Sequence, residues 1–551
     1  MHEILTLQLG QRASYLATHF WNTQESYHTF PPAPPSSIDH DIHFRAGIGA
    51  DGSETYLPRT VIYDLKGGFG TLKRVNELYD FEMGGGGGGG GGEGKVWSGK
   101  QTVQTQPPIE PSPYHVALSA GITPIPRLTT SSVRYWSDFA HTYFHPRSIV
   151  QLNDYALNSS LMPFEKYESG DDLFDSLDKE HDLLDRDLRL WAEECDQMQG
   201  MQIFMGADDA WGGFAARYVE RIRDEYGKVG LWVWGLEGGS PDQNNTYQHR
   251  LLRTTNAARS LHDISSQASM YIPLSMPPQT LPNYISLDNT SQWHSSALLA
   301  TALESVTLPS RTRVSGHTRT TLNDLEAALN INANQRIARL QCSVLSVSAL
   351  EDEQETLLKA GQLDSRVPGS AVKHSQMAED GFDNEDNATP EDLDIDFFAS
   401  STPSRQKRSG RDTKPPHIFG QIDSYRGSFP APTPTSPSDL SHARKRRRIA
   451  NLPMLETYHT SLLSPQLPTF PPIFTRLVPE GLPDGESVAV HARLSTTTGV
   501  TERIRELRDV VVRRMGSVGV EGREELGNGL GCLAEEFVEG WSGGSDSGED
   551  D

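Results

Sequence analysis

The residues best placed for chemistry in this 551-residue chain lie between a buried strand and an amphipathic helix. The strand is predicted at Met201–Met205, and residues 214–227 carry apolar side chains at helical spacing. A strand, a turn and a helix N-terminus together form the usual phosphate-binding site of α/β proteins. This turn, however, contains Asp208 and Asp209, whose charges repel phosphate. The sequence therefore predicts the scaffold of a nucleotide site without its chemistry.

The order of motifs around this turn resembles tubulin. Residues 193–200 (EECDQMQG), the strand, the turn and residues 220–228 (ERIRDEYGK) follow one another as they do around tubulin's glycine-rich phosphate loop. Residues 207–213 stand at the position of that loop, and side chains replace most of the glycines that let backbone amides approach phosphate. Gly212 and Gly213 remain, and the resemblance implies that they would contact a bound nucleotide.

The N-terminal residues extend the resemblance. Residues 1–21 are predicted to form a strand, the pair Gly10–Gln11 and a helix, and a second strand leads to Asp64. Lys66 stands where tubulin has the glutamate of an Asp-Leu-Glu loop, which argues against hydrolysis of the tubulin type. Gly10, Gln11 and Asp64 are the remaining candidates for nucleotide contact. Their structural interpretation is a strand-to-helix turn and a strand-end residue.

Three further motifs narrow the resemblance to the Misato/Dml family. They are residues 133–139 (VRYWSDF), residues 145–153 (HPRSIVQLN) and residues 173–186 (LFDSLDKEHDLLDR), and they occur in the order typical of that family. The resemblance implies a tubulin/FtsZ-like α/β fold in which helices flank a parallel sheet. It also implies a role in the partitioning and inheritance of mitochondria and mitochondrial DNA, and in mitochondrial distribution and morphology.

The same resemblance, with the altered turn, favours a non-catalytic protein without a bound cofactor. Its expected partners are proteins, among them tubulin, cytoskeletal factors or a mitochondrial surface protein, and its expected location is the outer surface of the mitochondrion and the cytoplasm. The alternative is a GTP-binding or GDP-binding switch or a polymerising GTPase. Tubulin's water-activating pattern G-x-x-N-x-D occurs only at residues 381–386, in an acidic stretch where we interpret it as chance.

Composition limits the partners further. The chain has 73 acidic and 49 basic residues and a net charge of −24, so direct binding to nucleic acid is not expected. The sequence has no apolar run of about 18 residues, so no transmembrane segment is expected. His141 and His145 have a zinc-ligand spacing, but Pro146 follows directly and favours an aromatic packing segment, so no metal site is predicted.

The chain is predicted to comprise five segments. Residues 1–120 form a tubulin-like segment that contains nine consecutive glycines, and residues 121–362 form a tubulin-like domain. Residues 363–450 are predicted to be a disordered insert, acidic at first and then basic. Residues 451–535 are predicted to form a C-terminal α/β segment, and residues 536–551 an acidic tail.

Local patterns add detail to this division. Helices are predicted at 171–195, 295–306, 322–350 and 501–515, and a buried strand at Val229–Leu236. The acidic stretch with Phe397 and Phe398 could fold on a partner, which no sequence feature identifies. The basic cluster Arg444–Arg448 could be a nuclear localisation signal, a contact with anionic lipid or a solvated run of charge.

Overall fold

The computed structural model describes residues 2–29, 32, 34–49, 52, 54–72, 109–238, 246–275, 281–313, 320–345, 393–398, 416–427, 453–474, 487–514 and 520–538. The predicted glycine run, the match at 381–386, the cluster Arg444–Arg448 and residues 539–551 lie outside these ranges.

The strands, in chain order, are β1 (Glu3–Leu9), β2 (Phe44–Ile48), β3 (Glu54–Pro58), β4 (Thr60–Lys66), β5 (Ile149–Ala156), β6 (Met198–Gly206), β7 (Gly230–Glu237), β8 (Met270–Ser275), β9 (Arg339–Leu345), β10 (Ile395–Asp396), β11 (Ile418–Arg426), β12 (Met454–Thr460) and β13 (Ala489–Thr497). The α-helices are α1 (Gln11–Ser26), α2 (Pro113–Ser119), α3 (Tyr167–His181), α4 (Arg189–Glu193), α5 (Ala210–Glu225), α6 (Tyr247–Gln267), α7 (Gln292–Thr307), α8 (Leu322–Leu329), α9 (Val500–Arg514) and α10 (Val520–Glu536).

Six of these strands form one parallel sheet in the order β5-β4-β1-β6-β7-β8. Counted along the chain within this sheet the order is 3-2-1-4-5-6, which is that of a doubly wound α/β fold. Residue Leu7 of β1 lies opposite Val61 of β4 on one side and Ile203 of β6 on the other. Every residue of β7 is buried, as expected of a parallel strand covered on both faces. The predicted parallel sheet is confirmed.

Helices cover both faces of this sheet. Helices α3, α5 and α6 pack on one face, with α9 and α10 against α6, while α1 and α8 pack on the other. Helix α7 packs against α1 and is buried from Ser295 to Thr307 around its whole circumference. A helix that is buried all round needs a second apolar partner. That partner is a second sheet.

The second sheet has the strand order β10-β9-β13-β11-β12, in which only β11 and β12 pair in parallel. Ile422 of β11 and Leu494 of β13 join one apolar core with α7 and with Trp232 of β7. The molecule is therefore built as helices, parallel sheet, helices and second sheet, with α7 between the two sheets.

A buried group of charged side chains ties α7 to the second sheet. Glu304 of α7 accepts a hydrogen bond of 2.8 Å from Arg311 and contacts the guanidinium of Arg426 on β11. Tyr27 and Gln24, at the end of α1, each donate to the same carboxylate at 3.2 Å. We call Glu304, Arg311 and Arg426 the core cluster.

The predicted helix at 322–350 is wrong in its second half. Helix α8 ends at Leu329, and residues 339–345 form strand β9 instead. In β9 the apolar residues Leu340, Cys342 and Val344 alternate with Gln341 and Ser343, and this period of two is that of a strand. The helix prediction at 171–195 also needs correction, because α3 ends at His181 and Asp182 takes a left-handed φ of 45°.

The predicted disordered insert at 363–450 is wrong for the described residues 393–398 and 416–427, which contain β10 and β11. Phe397 and Phe398 are buried within the chain, so these two side chains need no partner protein to cover them. Strand β11 lies between β13 and β12, and this pairing with remote strands stabilises a segment whose local composition is polar. Strand β9 precedes the predicted boundary at 362 yet belongs to the same sheet.

Within the described ranges, no helix is both long and apolar enough to cross a bilayer.

Candidate functional site

The candidate site lies at the carboxyl ends of β1, β4 and β6. After β1 the next strands are added on one side of it, as β4 and β5, and from β6 onwards they are added on the other side. The switch point lies between β1 and β6, and α/β proteins bind ligands in the crevice outside such a point. The turn after β1 begins at Gly10, the turn after β6 contains Asp208 and Asp209, and Asp64 lies near the end of β4. The structure therefore places the predicted turns side by side.

A single residue, Gly10, connects β1 to α1, and no other residue could replace it easily. Gly10 has a φ of 86°, and a Cβ there would lie 2.3 Å from Nε1 of Trp211. The indole of Trp211 thus covers the Gly10 backbone, and the Gly10 amide donates to the carbonyl of Tyr63 at 2.9 Å. A phosphate would find this amide already bonded and the space above it occupied.

Four charged side chains bridge the crevice between β1 and β6. Arg12 on α1 pairs with Asp208 at 2.5 Å and also contacts Asp209. Arg253 on α6 donates to Oδ2 of Asp208 through Nε at 2.9 Å and through Nη2 at 2.5 Å. We call Arg12, Asp208, Asp209 and Arg253 the crevice cluster. Its two positive and two negative groups balance within the protein.

The two carboxylates of the crevice cluster have different environments. Burial opposes ionisation of Asp208, but Arg12 and Arg253 outweigh it and hold the pKa of Asp208 below its ordinary value. Burial raises the pKa of Asp209, and the adjacent Asp208 charge adds to this effect while Arg12 opposes it. Burial alone would lower the pKa of Arg12, yet its two carboxylate partners raise it. Asp208 is therefore the central anion of the cluster.

Asp209 occupies the N-terminus of α5, where a phosphate binds in nucleotide-binding α/β proteins. Its carboxylate accepts from the Trp211 amide at 2.9 Å and caps the helix. This agrees with the prediction that an aspartate here is a turn and N-cap residue. The positive end of the α5 dipole is thus already neutralised by a side chain of the same chain.

The turn itself is held in place by α6. Ser260 donates to the carbonyl of Ala207 at 2.7 Å, and Asn256 donates to the carbonyl of Asp208 at 3.2 Å. The Gly238 amide, at the end of β7, also donates to Asp208, at 2.9 Å. These bonds fix the turn in the position that the crevice cluster requires.

The structure brings Gln11 and Asp64, two of the candidate residues, into direct contact. Nε2 of the Gln11 side chain donates to Oδ2 of Asp64 and to the carbonyl of Gly68, the latter at 2.5 Å. Asp64 is fully buried, and burial raises its pKa to about 7, although hydrogen bonds from the Leu65 amide, Gln11 and Trp136 lower it in part. Nucleotide contact by Gly10, Gln11 and Asp64 stays a prediction.

Gly212 and Gly213 lie in the first turn of α5 and serve helix packing. A Cβ at Gly212 would come 2.1 Å from Oγ of Ser260 on α6, and one at Gly213 would come 2.1 Å from the carbonyl of Tyr167 on α3. Both glycines therefore let neighbouring helices approach α5 closely. Their position offers another reason for these glycines than the nucleotide contact that the resemblance implies.

Sequence reasoning missed Arg12, Trp211 and Arg253. Arg12 had a usable signal, because it follows the Gly10–Gln11 pair and two aspartates in a buried turn require a cation nearby. Arg253 had none, since 45 residues separate it from Asp208. Among the described residues, no group of three or more His, Cys, Asp or Glu side chains could hold a metal ion.

The strand order, the paired turns and the switch-point crevice define a tubulin-like protein. Residues 125–312 match the family model described as a tubulin domain, and residues 2–120 match the model described as Misato Segment II tubulin-like domain.

Similar proteins narrow this class. Protein dml-1 of Neurospora crassa is 46% identical over 100% of both chains, and Protein dml1 of Aspergillus clavatus is 45% identical over 100% of both. Protein misato homolog 1 of Homo sapiens is 31% identical over 56% of this chain and 60% of its own length. The chain belongs to the Dml1/Misato family of tubulin-like proteins.

Proposed function

We propose that this chain is a non-catalytic tubulin-like protein that needs no nucleotide and acts in the partitioning and inheritance of mitochondria and mitochondrial DNA. The observation that carries the nucleotide-free part is the crevice cluster, in which Arg12 and Arg253 are already paired with Asp208 and Asp209. Membership in the Dml1/Misato family supports the mitochondrial part.

Three features of the crevice oppose nucleotide binding: its negative charge, its already paired arginines and the position of Trp211. A triphosphate would bring further negative charge beside Asp208 and Asp209, and like charges at this distance repel strongly in a poorly hydrated crevice. Arg12 and Arg253 could neutralise the phosphates only by leaving their carboxylates unpaired and buried. Trp211, which is 5% exposed, would also have to leave Gly10.

Lys66 also argues against nucleotide hydrolysis. This exposed residue ends β4, at the position where the tubulin resemblance places an acidic residue. We therefore propose that the protein has no GTPase activity and carries no bound cofactor. The alternative, a GTP-binding switch or polymerising GTPase, would depend on the pair formed by Gln11 and the buried Asp64.

We propose that the protein reaches mitochondria through protein partners, at the outer surface and from the cytoplasm. Tubulin, a cytoskeletal factor and a mitochondrial surface protein are the partners that this role favours. The acidic balance of the chain, with a net charge of −24, argues for an indirect effect on mitochondrial DNA.

The nucleotide part is tested on the purified full chain. The protein is denatured, its guanine nucleotides are measured by anion-exchange chromatography, and fresh protein is titrated with GTP and GDP by calorimetry up to 1 mM. We expect neither co-purified nucleotide nor binding heat, with tubulin as the positive control. Stoichiometric binding that Asp64→Ala abolishes would establish the alternative instead.

The mitochondrial part is tested in Neurospora crassa, whose protein is 46% identical to this chain. The resident gene is placed under a repressible promoter, and this chain is supplied on a second locus. Repression alone should reduce mitochondrial DNA copy number and alter mitochondrial distribution, and this chain should restore both. Normal mitochondrial DNA and distribution after depletion would contradict the proposed role.

A further inference from the structure

A cavity of about 620 Å³ lies outside the switch-point crevice and has no part in the proposal above. Its walls come from the C-terminal half of α1, the β2–β3 hairpin, α2, and residues 141–143 and 467–469. Five parts of the chain thus converge on one hollow, and the last of them is more than 300 residues from the others. We call it the α1 cavity.

One wall of the α1 cavity is aromatic. The ring of His28 lies 4.8 Å from Phe44 in an edge-on arrangement and 5.3 Å from Tyr56. Tyr114 and Tyr143 add two further rings to the lining. Aromatic faces attract cations through the quadrupole of the ring, and the attraction grows when the cation leaves bulk water.

The charged side chains of the lining are acidic. Glu25 and Glu54 are its two carboxylates, and the described lining contains no lysine or arginine. Burial opposes ionisation of Glu25, but the hydrogen bonds from His141 and Thr142 outweigh it and lower the pKa of Glu25. Glu25 therefore stays an anion at neutral pH.

The histidines of the lining do not cancel this charge. Burial lowers the pKa of His28, so that ring is neutral at pH 7. His141 is bonded to Glu25 at 3.1 Å, and this bond raises the pKa of His141. Even with His141 protonated, the carboxylate of Glu54 remains uncompensated within the described lining.

The mouth of the α1 cavity is apolar and exposed. Leu118 and Ile125 are 37% and 38% exposed, Tyr143 is 47% exposed, and all three line the cavity. Exposed apolar residues that cluster beside a cavity are typical of protein-binding surfaces. The aliphatic stems of arginine and lysine suit such a rim, because these side chains bury their methylene groups and keep the charged head in a polar place.

We propose that the α1 cavity is a docking site for a partner protein that inserts an arginine or lysine side chain. The cationic head lies between Glu25, Glu54 and the aromatic wall, while apolar residues of the partner cover Leu118, Ile125 and Tyr143. Charge complementarity and the apolar rim select this occupant. A phosphate or an acidic peptide would meet two carboxylates and, within the described lining, no lysine or arginine.

The test uses the full chain and a fluorescein-labelled peptide, Leu-Arg-Leu with blocked ends, whose binding is followed by fluorescence anisotropy at 150 mM salt. The comparison peptide replaces arginine by citrulline, which has the same shape without the charge. We expect the citrulline peptide to bind at least ten-fold more weakly. Equal binding of the two peptides would overturn the proposal.

Matched variants locate the site. Glu25→Gln with Glu54→Gln should weaken binding of the arginine peptide about ten-fold. Glu502→Gln with Glu524→Gln removes the same charge at exposed positions of α9 and α10 and should change binding less than two-fold. An equal loss in both double variants would show bulk attraction to an acidic protein and would overturn the site.

Two further measurements test the α1 cavity without changing Glu25. Tyr143→Ala, at an exposed position that leaves the core intact, should weaken the arginine peptide several-fold even if the Glu25 variant folds poorly. Methylguanidinium alone should bind far more weakly than the peptide. If it binds as tightly, the cavity takes small free cations and the docking proposal fails.

Discussion

The crevice cluster and the core cluster are both built from arginine and carboxylate side chains, but they have different roles. The core cluster sets Glu304 between Arg311 and Arg426, and all three side chains are at most 2% exposed. In the crevice cluster the exposure of the side chains ranges from 5% for Asp208 to 26% for Asp209. One cluster is sealed between two sheets, and the other lies where a doubly wound fold opens to a ligand.

Their charge balance differs as well. The core cluster has two guanidinium groups for one carboxylate, and the carbonyls of Leu462 and Leu463 accept from Arg426 at 3.1 Å and 2.7 Å. The crevice cluster pairs two cations with two anions and needs no further partner. The carboxylates of the crevice cluster therefore take the place of an anionic ligand, whereas the core cluster joins α1, α7 and the second sheet.

The largest effect is expected at Glu304. Glu304→Ala leaves Arg311 and Arg426 buried without their carboxylate, and removing one partner of a buried ion pair costs about 3–5 kcal/mol. Urea unfolding followed by tryptophan fluorescence should show this loss. Glu502→Gln, on the exposed face of α9, is the control and should leave the unfolding midpoint unchanged. A stable Glu304→Ala protein would remove the distinction between the two clusters.

A smaller loss is expected at Arg12. Arg12→Ala leaves Asp208 with Arg253, and the more exposed Asp209 keeps access to water, so we expect a loss of about 2 kcal/mol in the free energy of unfolding. The double variant Arg12→Ala with Asp209→Asn should regain part of this loss, because it removes the unpaired charge. Should Arg12→Ala cost as much as Glu304→Ala, the crevice cluster would be as integral to the fold as the core cluster.

Gly213 tests whether the crevice glycines serve packing. A Cβ there would meet the Tyr167 carbonyl at 2.1 Å, so Gly213→Ala should separate α5 from α3 and cost about 1–3 kcal/mol. Gly531→Ala, inside α10, is the matched control. Its Cβ would have no neighbour closer than 3.8 Å, and replacing a helical glycine by alanine should stabilise the protein by up to about 1 kcal/mol. A stable Gly213→Ala protein would reopen the question of why this glycine is present.

The sequence predicts the crevice better than the core cluster, for a physical reason. Strand, turn and helix at residues 201–227 are adjacent in the chain, so their periodicity locates the crevice, and the character of Asp208 and Asp209 is visible within it. The partners of Glu304 are not local. Arg426 lies 122 residues further on, on a strand whose polar surroundings predict disorder.

The second sheet illustrates the same limit. Residues 339–345 alternate apolar and polar side chains, but the run is short and follows a helix, so it could be mistaken for a continuation of that helix. Strand β11 acquires its stability from β13 and β12, whose pairing no local pattern reveals. Short strands that pair with remote strands are therefore the part of this fold that sequence reasoning loses.

Asp64 completes the comparison, because it is a buried carboxyl group with no ion pair to a described residue. The pKa of Glu304 is lowered because Arg426 and Arg311 outweigh its burial, whereas burial raises the pKa of Asp64 to about 7. The folded state then holds a proton on Asp64 between about pH 4 and pH 7, and the unfolded state does not. The contribution of Asp64 to stability is therefore largest at low pH and is lost as pH rises through this window.

Asp64→Asn should remove that dependence. One group can contribute a slope of about 1.4 kcal/mol per pH unit, so the variant should gain stability relative to the parent as pH rises from 4.5 to 7.5. Urea unfolding at four pH values measures the difference.

Gln11→Ala is the control, because loss of the Gln11 hydrogen bond should raise the pKa of Asp64 and move the window to higher pH without abolishing it. A difference between Asp64→Asn and the parent that stays constant with pH would show that Asp64 is ionised throughout, and the crevice would then carry three unprotonated carboxylates against two arginines.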